Sequence, residues 1–136
     1  MRPLLSPAAE RDAASTAYYS PGSIIRIIVD TKSPIAFGMP AEAFAFQSGG
    51  QAYEITLGKS VTAVASYASK NLLGSGWVSG ESAVLAKPIL IDARYGQGRV
   101  LLFGFRPQFR GQSFGTFKLL LNSIYLASSQ ALERAR

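Results

Sequence analysis

The 136-residue sequence contains no cysteine and no histidine. These two absences exclude disulfide bonds, cysteine nucleophiles, Cys/His zinc sites, and the Ser-His and Cys-His pairs that activate a nucleophile. A site built from carboxylates alone stays possible, but the eight acidic residues occur singly, and no two have a spacing that indicates shared acid and base roles. We therefore predict no catalytic residue, no metal ligand and no cofactor.

Long apolar runs are also missing. No stretch of about 18 apolar residues runs without a charge, as a membrane-spanning helix requires, and Met1–Ala14 has no apolar core typical of a signal peptide. We expect the chain not to span a membrane, and its localisation stays open. Hydrophobic residues nevertheless make up 48% of the chain, which is enough to bury the core of one domain.

Acidic residues are scarce in one part of the chain. Residues 1–93 hold seven basic and seven acidic residues, whereas residues 94–136 hold seven basic residues and one acidic residue, so the net charge of +6 lies entirely in the second segment. Basic residues near Phe105, Phe109 and Phe114 could contact phosphates and stack on bases. The basic residues are spaced singly and no nucleic-acid-binding motif accompanies them, so a solvated or partner-facing surface is the preferred interpretation.

The most regular stretch of the chain runs from Lys87 to Ala127. Pro88–Arg94 and Arg99–Phe105 are apolar runs separated by Tyr95-Gly96-Gln97-Gly98, which predicts a β-hairpin. The second arm is apolar on both faces, so we expect it to be the central strand. A helix is predicted from Gly115 to about Gln130, with Ser113 as its cap. Its apolar face is predicted to hold Phe117, Leu120, Leu121, Ile124, Tyr125 and Ser128.

The rest of the chain predicts short strands and loops. The connections are too short for helical crossovers, so strand pairing is expected to be mostly antiparallel. The fold class is therefore α+β and sheet-rich, with one long C-terminal helix and one sheet face that lacks a cover. A flexible lead-in is predicted over 1–20, a single domain over 21–130 and a tail over 131–136. The earlier elements expected are strands Ile24–Asp30, Phe44–Gln47, Tyr53–Leu57 and Val61–Tyr67, a helical turn Pro40–Glu42, a packed irregular segment Ser33–Pro40, and a loop Asn71–Ala83.

Two loops hold candidate binding residues. Trp77 is the only tryptophan and lies among glycines, where an aromatic ring can line a ligand pocket, although such a residue more often closes the edge of a core. Arg106, Gln108 and Arg110 follow an apolar strand, and Lys118 lies one turn into the helix. Two guanidinium groups and an amide can clamp a carboxylate, a phosphate or a sugar hydroxyl. The alternative, which is the preferred interpretation, is a bracing role in which the arginines cap carbonyls or pair with Asp30, Glu42, Glu81 or Asp92; Lys118 could complete either arrangement.

Three stretches carry a family resemblance: YYSPGSIIRIIVDTKSPIAFGMP, NLLGSGWVSGE and YGQGRVLLFGFRPQFRGQSFGTFKLLLNSIY. They resemble the C-terminal region of large bacterial proteins of the zinc carboxypeptidase (carboxypeptidase A-like) family. In that family a domain similar to class I glutamine amidotransferases follows the peptidase domain. The resemblance implies that this chain is the later half of such an α/β domain, with an upstream peptidase domain or another protein covering the sheet. It also implies that the parent proteins are exported.

The activity of that family does not carry over to these residues. Its zinc is held by two His and one Glu, and active amidotransferases use a Cys and a His; this chain contains no His and no Cys, so neither site can be built. Ser113-Phe114 stands where the resemblance leads us to expect a small or polar residue followed by His. The expected function is therefore a non-catalytic accessory domain. The alternative is a small-molecule or glycan binding module that uses Trp77 and the Arg106–Arg110 loop.

Overall fold

The structure is a computed structural model that describes residues 18–49, 52–55 and 60–134, with side chains described up to residue 129. The lead-in predicted over 1–20 lies mostly outside these ranges. Its last three residues belong to the folded part instead: Tyr18 and Ser20 are buried, and Tyr19 forms a β-bridge with Ser79. The described domain therefore begins no later than Tyr18.

Within the described ranges the chain forms six strands, two 3-10 turns and one α-helix. Every strand pairing is antiparallel, and the order across the sheet is β2-β1-β3-β5-β6, with β4 paired to β1. This arrangement confirms the prediction of a sheet-rich, antiparallel α+β fold with one C-terminal helix. The elements are β1 (Ser23–Val29), β2 (Glu42–Gln47), β3 (Val61–Tyr67), β4 (Leu73–Ser75), β5 (Pro88–Tyr95), β6 (Gly98–Phe103), the 3-10 turns Pro34–Ala36 and Glu81–Ala83, and α1 (Phe114–Arg134).

The sheet curls so that its two edges meet at one end. After β6, the Arg106 N–H donates to the Phe46 carbonyl on β2 at 3.0 Å, and the two residues form an antiparallel bridge. The segment that follows the edge strand β6 is thereby tied to the other edge strand, β2. The result is a half-barrel, whose concave side holds most of the core.

Alternation along the strands explains which face is inside. In β1 the side chains of Ser23, Ile25, Ile27 and Val29 are buried, whereas the intervening side chains point outward. In β2 the small residues at alternate positions are likewise buried. The outer face of β1 and β2 is only partly covered, because Ile28 and Phe44 remain 44% and 45% exposed there.

The prediction that the second hairpin arm is central is wrong. β6 is the edge of the sheet, and its residues are at most half-buried, whereas β5 lies between β3 and β6 with Ile89, Leu90 and Ile91 all buried. The first arm carries Asp92 and Arg94 on one face, a pattern typical of a less buried strand, but Asp92 pairs with Arg99 of the second arm. The patterns of the two arms therefore do not tell which arm is flanked on both sides, since that depends on pairing with β3, a strand distant in sequence.

The buried face of α1 also differs from the predicted face. Thr116, Leu119 and Ser123 face the core, whereas four residues of the predicted face are exposed: Leu121, Ile124, Tyr125 and Ser128. Phe117 and Leu120, also predicted on the inner face, lie at its border and are half-buried, so the buried face is rotated around the helix relative to the predicted one. Thr116 tolerates burial because its Oγ1 donates to the Pro107 carbonyl at 2.8 Å, and Ser123 because its Oγ donates to the Leu119 carbonyl at 2.6 Å.

Smaller differences concern the element boundaries. The helical turn falls at Pro34–Ala36 rather than at Pro40–Glu42, where the chain bends into β2. Residues 52–55 form no regular element, and the remainder of the predicted strand Tyr53–Leu57 lies outside the described residues. The loop Asn71–Ala83 contains β4 and the second 3-10 turn. The helix continues into the predicted tail and ends at Arg134. No helix in the described ranges combines the length and apolarity needed to cross a membrane.

Candidate functional site

The Arg106–Arg110 loop is held in place by hydrogen bonds at both ends. The bridge to Phe46 anchors its start, and the Ser113 Oγ accepts a hydrogen bond from the Phe109 N–H at 3.2 Å. Ser113 thus lies directly before α1, as predicted, but its hydroxyl closes the loop. Arg110 has a φ of 51°, a left-handed conformation that is uncommon for residues other than glycine. The loop therefore presents its side chains from a defined backbone.

The two loop arginines contact an aromatic ring rather than carboxylates. The Cζ atoms of Arg106 and Arg110 lie 5.3 and 5.2 Å from the centre of the Phe109 ring, within cation-π range. Phe109 in turn stacks on Phe46, with ring centres 4.4 Å apart. These contacts orient both guanidinium groups at the surface next to the seam of the half-barrel.

Two of the four acidic partners suggested for these arginines form ion pairs with other residues. Glu42 pairs with Arg26, and Asp92 pairs with Arg99 at 2.9 Å. Among the described residues, neither Arg106 nor Arg110 takes part in an ion pair. The predicted brace through carboxylates is therefore not what the described part of the chain contains.

Gln108 and Lys118 differ in what they contact. Gln108 is exposed on the loop. The Lys118 ammonium donates to the Gly38 carbonyl at 2.8 Å, which ties α1 to the segment Ser33–Pro40. That segment is packed as expected, with Ile35 and Ala36 buried. Lys118 thus acts as a brace between α1 and a neighbouring segment.

Trp77 lies apart from the arginine loop. Its backbone N–H donates to the Ser23 Oγ at 3.1 Å, and its ring meets the Tyr19 ring edge-on with centres 6.1 Å apart. At 56% exposure it does not close the core. Trp77 follows β4, which pairs with β1; β1 pairs with β2, and β2 is bridged to Arg106. Across the sheet, the backbones of Trp77 and Arg106 are therefore about 14 Å apart at the usual strand spacing. The structure does not bring the predicted binding residues into one pocket.

A polar network inside the half-barrel was not anticipated from the sequence. Gln47 is fully buried; its Oε1 accepts from the Tyr18 hydroxyl at 2.7 Å, and its Nε2 donates to the Tyr67 hydroxyl and, at 3.1 Å, to the Gly104 carbonyl. The signal available in the sequence is alternation, because Gln47 continues the inward series of Ala43 and Ala45.

Burial sets the protonation state of that network. It raises the pKa of Tyr18 to about 12, with a smaller contribution from the negative charge of Glu81. Burial also raises the pKa of Tyr67 well above its usual value, although the hydrogen bond from Gln47 acts in the opposite direction. Both phenols therefore stay neutral near pH 7. They act as hydrogen-bond donors and acceptors within the core.

The outer side of α1 carries a group of large, exposed apolar side chains. We call Phe114, Leu121, Ile124 and Tyr125 the α1 stripe; Phe114 and Tyr125 are both 73% exposed. Beside it lies a shallow, open depression, the α1 groove, between the helix and the first 3-10 turn. The groove is lined by Pro34, Phe37, Asn122, Tyr125, Leu126 and Ser129.

No cluster of three or more acidic side chains that could hold a metal ion occurs among the described residues, and the sequence supplies no His or Cys. The arrangement offers surfaces for binding: a rigid loop with two guanidinium groups, an exposed aromatic pair at Trp77, and an apolar helix face. Of the predicted site residues, the structure brings Arg106 and Arg110 together around Phe109 and leaves Trp77 and Lys118 in other environments.

The comparisons with known proteins address the fold. No protein-family model matches the sequence, and no curated protein matches it. Among solved structures, the chain is similar to a Thermoplasma acidophilum protein that is provisionally named as one of the subunits of GMP synthase, with a TM-score of 0.54 and 16% sequence identity. The match covers 84% of this chain and 47% of that protein, so the chain spans about half the length of the structure it matches.

This likeness supports an amidotransferase-like fold, in agreement with the fold that the sequence resemblance implies. An antiparallel half-barrel sheet with one C-terminal helix is consistent with part of such a domain. The likeness lends no support to a relationship with the zinc carboxypeptidase family. At 16% identity it defines the fold and leaves the activity open.

Proposed function

We propose that this chain is a non-catalytic accessory module that works in contact with another protein domain. The observation that carries the proposal is the extent of the structural match, since most of this chain corresponds to only 47% of an amidotransferase-like protein. The half-barrel builds a core of its own, yet it leaves a stripe of large apolar side chains exposed on α1. A part of a larger domain that packs on a neighbour has these properties.

The chemistry of the chain supports a non-catalytic role. Amidotransferase catalysis of the Cys-His kind needs two residue types that the sequence lacks. The buried Tyr18–Gln47–Tyr67 network is closed to solvent and holds its phenols neutral. The polar groups that are accessible, on the Arg106–Arg110 loop, suit binding better than proton transfer.

The finer part of the proposal concerns the partner. The stretches GFRPQFRGQ and GTFKLL resemble the C-terminal region of zinc carboxypeptidase-family proteins. On that basis we assign the partner as a zinc-dependent peptidase domain, with this module acting as its accessory part.

The mass of the endogenous polypeptide that contains the Gly104–Gln112 peptide tests this proposal. A source lysate is separated by size, and the band with this peptide is analysed by mass spectrometry for peptides of a metallopeptidase domain. We expect either a band far above 14.5 kDa that includes such a domain, or a 14.5 kDa chain that co-purifies with one. A 14.5 kDa chain that co-purifies with no peptidase would overturn the proposed partner.

The isolated chain provides the complementary test. Incubated with zinc and C-terminally blocked and unblocked peptides, it is expected to release no amino acid, because it has no histidine to build the family's zinc site. Zinc-dependent release by the pure chain, abolished by a chelator, would contradict the non-catalytic role.

A second candidate function, a small-molecule or glycan binding module, is favoured by one observation. Arg106 and Arg110 are fixed on Phe109 and pair with no acidic residue of the described chain. Calorimetry with phosphate, citrate and an oligosaccharide distinguishes the possible ligands. Arg106→Ala is expected to abolish any binding heat, whereas Arg94→Ala, at an exposed arginine of the hairpin, leaves it unchanged. Equal heats for both variants would exclude this loop as the site.

A further inference from the structure

We propose that the α1 stripe and the α1 groove form a docking surface for an acidic, apolar segment of a protein partner. The inference rests on the proposed function and deepens it by naming the surface and the chemistry of what binds there. The segment can belong to the same polypeptide or to a separate one, since the recognition chemistry is the same.

The α1 stripe is continuous along the helix. Phe114, Leu121 and Tyr125 recur at spacings of seven and four residues, so their side chains lie on one side of the helix, and Ile124 widens that side. Each of the four is about half exposed or more. The fold gains little from these side chains, because Leu119, Thr116 and Ser123 already face the core. An apolar face of this length on a helix that is otherwise packed typically meets another protein.

The α1 groove gives the surface a concave part. Asn122 Nδ2 donates to the carbonyls of Ile35 and Phe37 at 3.0 and 2.9 Å, which fixes the turn against the helix. The Phe37 ring nevertheless stays 77% exposed at the rim, opposite Tyr125. Two aromatic rings beside a depression can enclose an apolar side chain of a partner, as the central anchors of protein interfaces do.

The charges around the stripe indicate an acidic partner. Lys118 lies within the line of the stripe, between Phe114 and Leu121, and Arg110 precedes the helix; both carry charge that no carboxylate of the described chain neutralises. Glu42, on the strand that α1 contacts, is paired with Arg26. Residues 94–132 contain no acidic residue. A partner with carboxylates beside its apolar side chains would complement this surface.

The same charges disfavour two other occupants. A second copy would bring two chains of net charge +6 together through their basic segments. An anionic membrane usually attracts helices with several Lys or Arg on the polar face, whereas Lys118 is the one charged side chain that α1 carries from Phe114 to Ser129.

Photo-crosslinking from within the stripe tests the proposal in cells. The photoreactive residue p-benzoylphenylalanine replaces Tyr125 in the full-length native polypeptide, and crosslinked peptides are mapped by mass spectrometry. Ala127, exposed on α1 but outside the stripe, takes the same replacement as the matched control. We expect position 125, and not position 127, to crosslink to one segment that contains both apolar and acidic residues. Crosslinks to a second copy, to lipid or to a basic segment would overturn the proposal.

Synthetic helical peptides test the charge preference with the purified chain. Two peptides share one leucine stripe and differ in flanking residues, which are glutamate in one and lysine in the other. The glutamate peptide is expected to bind at least about tenfold more tightly by fluorescence anisotropy, because like charges repel across an interface. Leu121→Asp is expected to remove that binding, while Ala127→Asp retains it. Circular dichroism confirms that both variants are folded.

The outcomes separate this inference from the proposed function. If a metallopeptidase domain co-occurs with the chain but crosslinks only from other positions, the function stands and the surface is wrong. If both peptides bind equally, the acidic preference is wrong. The chain is also sedimented with vesicles of anionic phosphatidylglycerol. If the chain sediments with the vesicles and the Leu121→Asp variant does not, the surface binds a membrane and the proposed protein partner is wrong.

Discussion

Two aromatic regions of this protein, the inside of the half-barrel and the outer side of α1, have similar residues and opposite environments. Inside, Tyr18 and Tyr67 are both 1% exposed and bond to Gln47. Outside, Tyr125 and Phe114 are largely exposed beside apolar neighbours. Hydrogen bonds to Gln47 fix the orientation of the inner tyrosine rings. The outer rings lie beside other apolar side chains, but no part of the described chain covers them. The difference suggests that the first region serves the fold and the second serves contact with another molecule.

The comparison also separates two kinds of loop. The Trp77 loop and the Arg106–Arg110 loop lie at the same end of the sheet. The Trp77 N–H donates to the Ser23 hydroxyl on β1, and the Arg106 N–H donates to the Phe46 carbonyl on β2. The first exposes an aromatic pair, and the second exposes charge on an aromatic support. Because β1 and β2 lie between them, a ligand contacting both would have to span two strands. They are better treated as separate surfaces.

The largest expected effect contrasts the two sides of α1. Leu119→Ala is expected to lower the free energy of unfolding by about 3 kcal/mol, because it leaves a cavity in the core. Leu121→Ala removes the same atoms from the stripe and is expected to cost less than about 1 kcal/mol. Urea denaturation of both variants measures the contrast. Equal losses would mean that the stripe contributes to the fold, and the comparison would fail.

The inner polar network is tested by Gln47→Ala. The substitution leaves the Tyr18 hydroxyl and the Gly104 carbonyl without the partner each has now, and we expect a loss of about 2–3 kcal/mol. Gln108→Ala, on the exposed loop, is the control and is expected to change stability by less than about 0.5 kcal/mol. A Gln47 variant as stable as the control would show that the network does not hold the half-barrel together.

An ion pair on the β5–β6 hairpin refines the contrast between covered and exposed regions. Asp92 and Arg99 lie 2.9 Å apart and are each 17% exposed. Asp92→Ala leaves the Arg99 charge without this partner in a partly covered position, and we expect a loss of about 1–2 kcal/mol. Glu54→Ala, which breaks the exposed pair with Lys87, is expected to change little. Thermal melts at low and high salt distinguish the two, since salt screens the exposed pair more.

The smallest expected effect appears at alkaline pH. Burial raises the pKa of Tyr18 from its ordinary value near 10 to about 12, so the unfolded chain ionises first. The stability contributed by the neutral phenol is complete below pH 10 and is lost as the pH rises toward 12; we expect a loss of about 1 kcal/mol by pH 11 from this residue. Urea midpoints at pH 8, 10 and 11 measure the loss.

Tyr18→Phe is expected to flatten that dependence, since no phenol remains to ionise at this position. Tyr95→Phe, at an exposed tyrosine, serves as the control. A stability that rises between pH 10 and 11 in the unmodified chain would show that the buried phenols are not held neutral.

Local sequence patterns predicted most of the strands and the helix, but they did not predict the order of the hairpin strands in the sheet or the buried side of the helix. Alternation in β1 and β3 and the glycine-rich reversal after β5 each correspond to observed strands. β4 was missed because its three residues, Leu73–Ser75, include a glycine and carry no periodicity; pairing with β1 creates the strand. The site residues followed the same rule. Arg106 and Arg110 were recognisable from their position after a strand, but their contact with Phe109 depends on the loop conformation.

The amino-acid sequence by itself determined which side-chain chemistry this chain lacks and which secondary-structure elements it forms. Without cysteine and histidine it cannot build Cys-His or zinc-histidine chemistry, and its apolar periods specify a β-hairpin and a long helix. The tertiary structure alone decided which hairpin arm is central, which side of α1 is buried, and that Gln47 joins two tyrosines. The physical reason is that a strand or helix that is apolar on more than one side has several ways to bury itself. Contacts between residues distant in the chain select one of them.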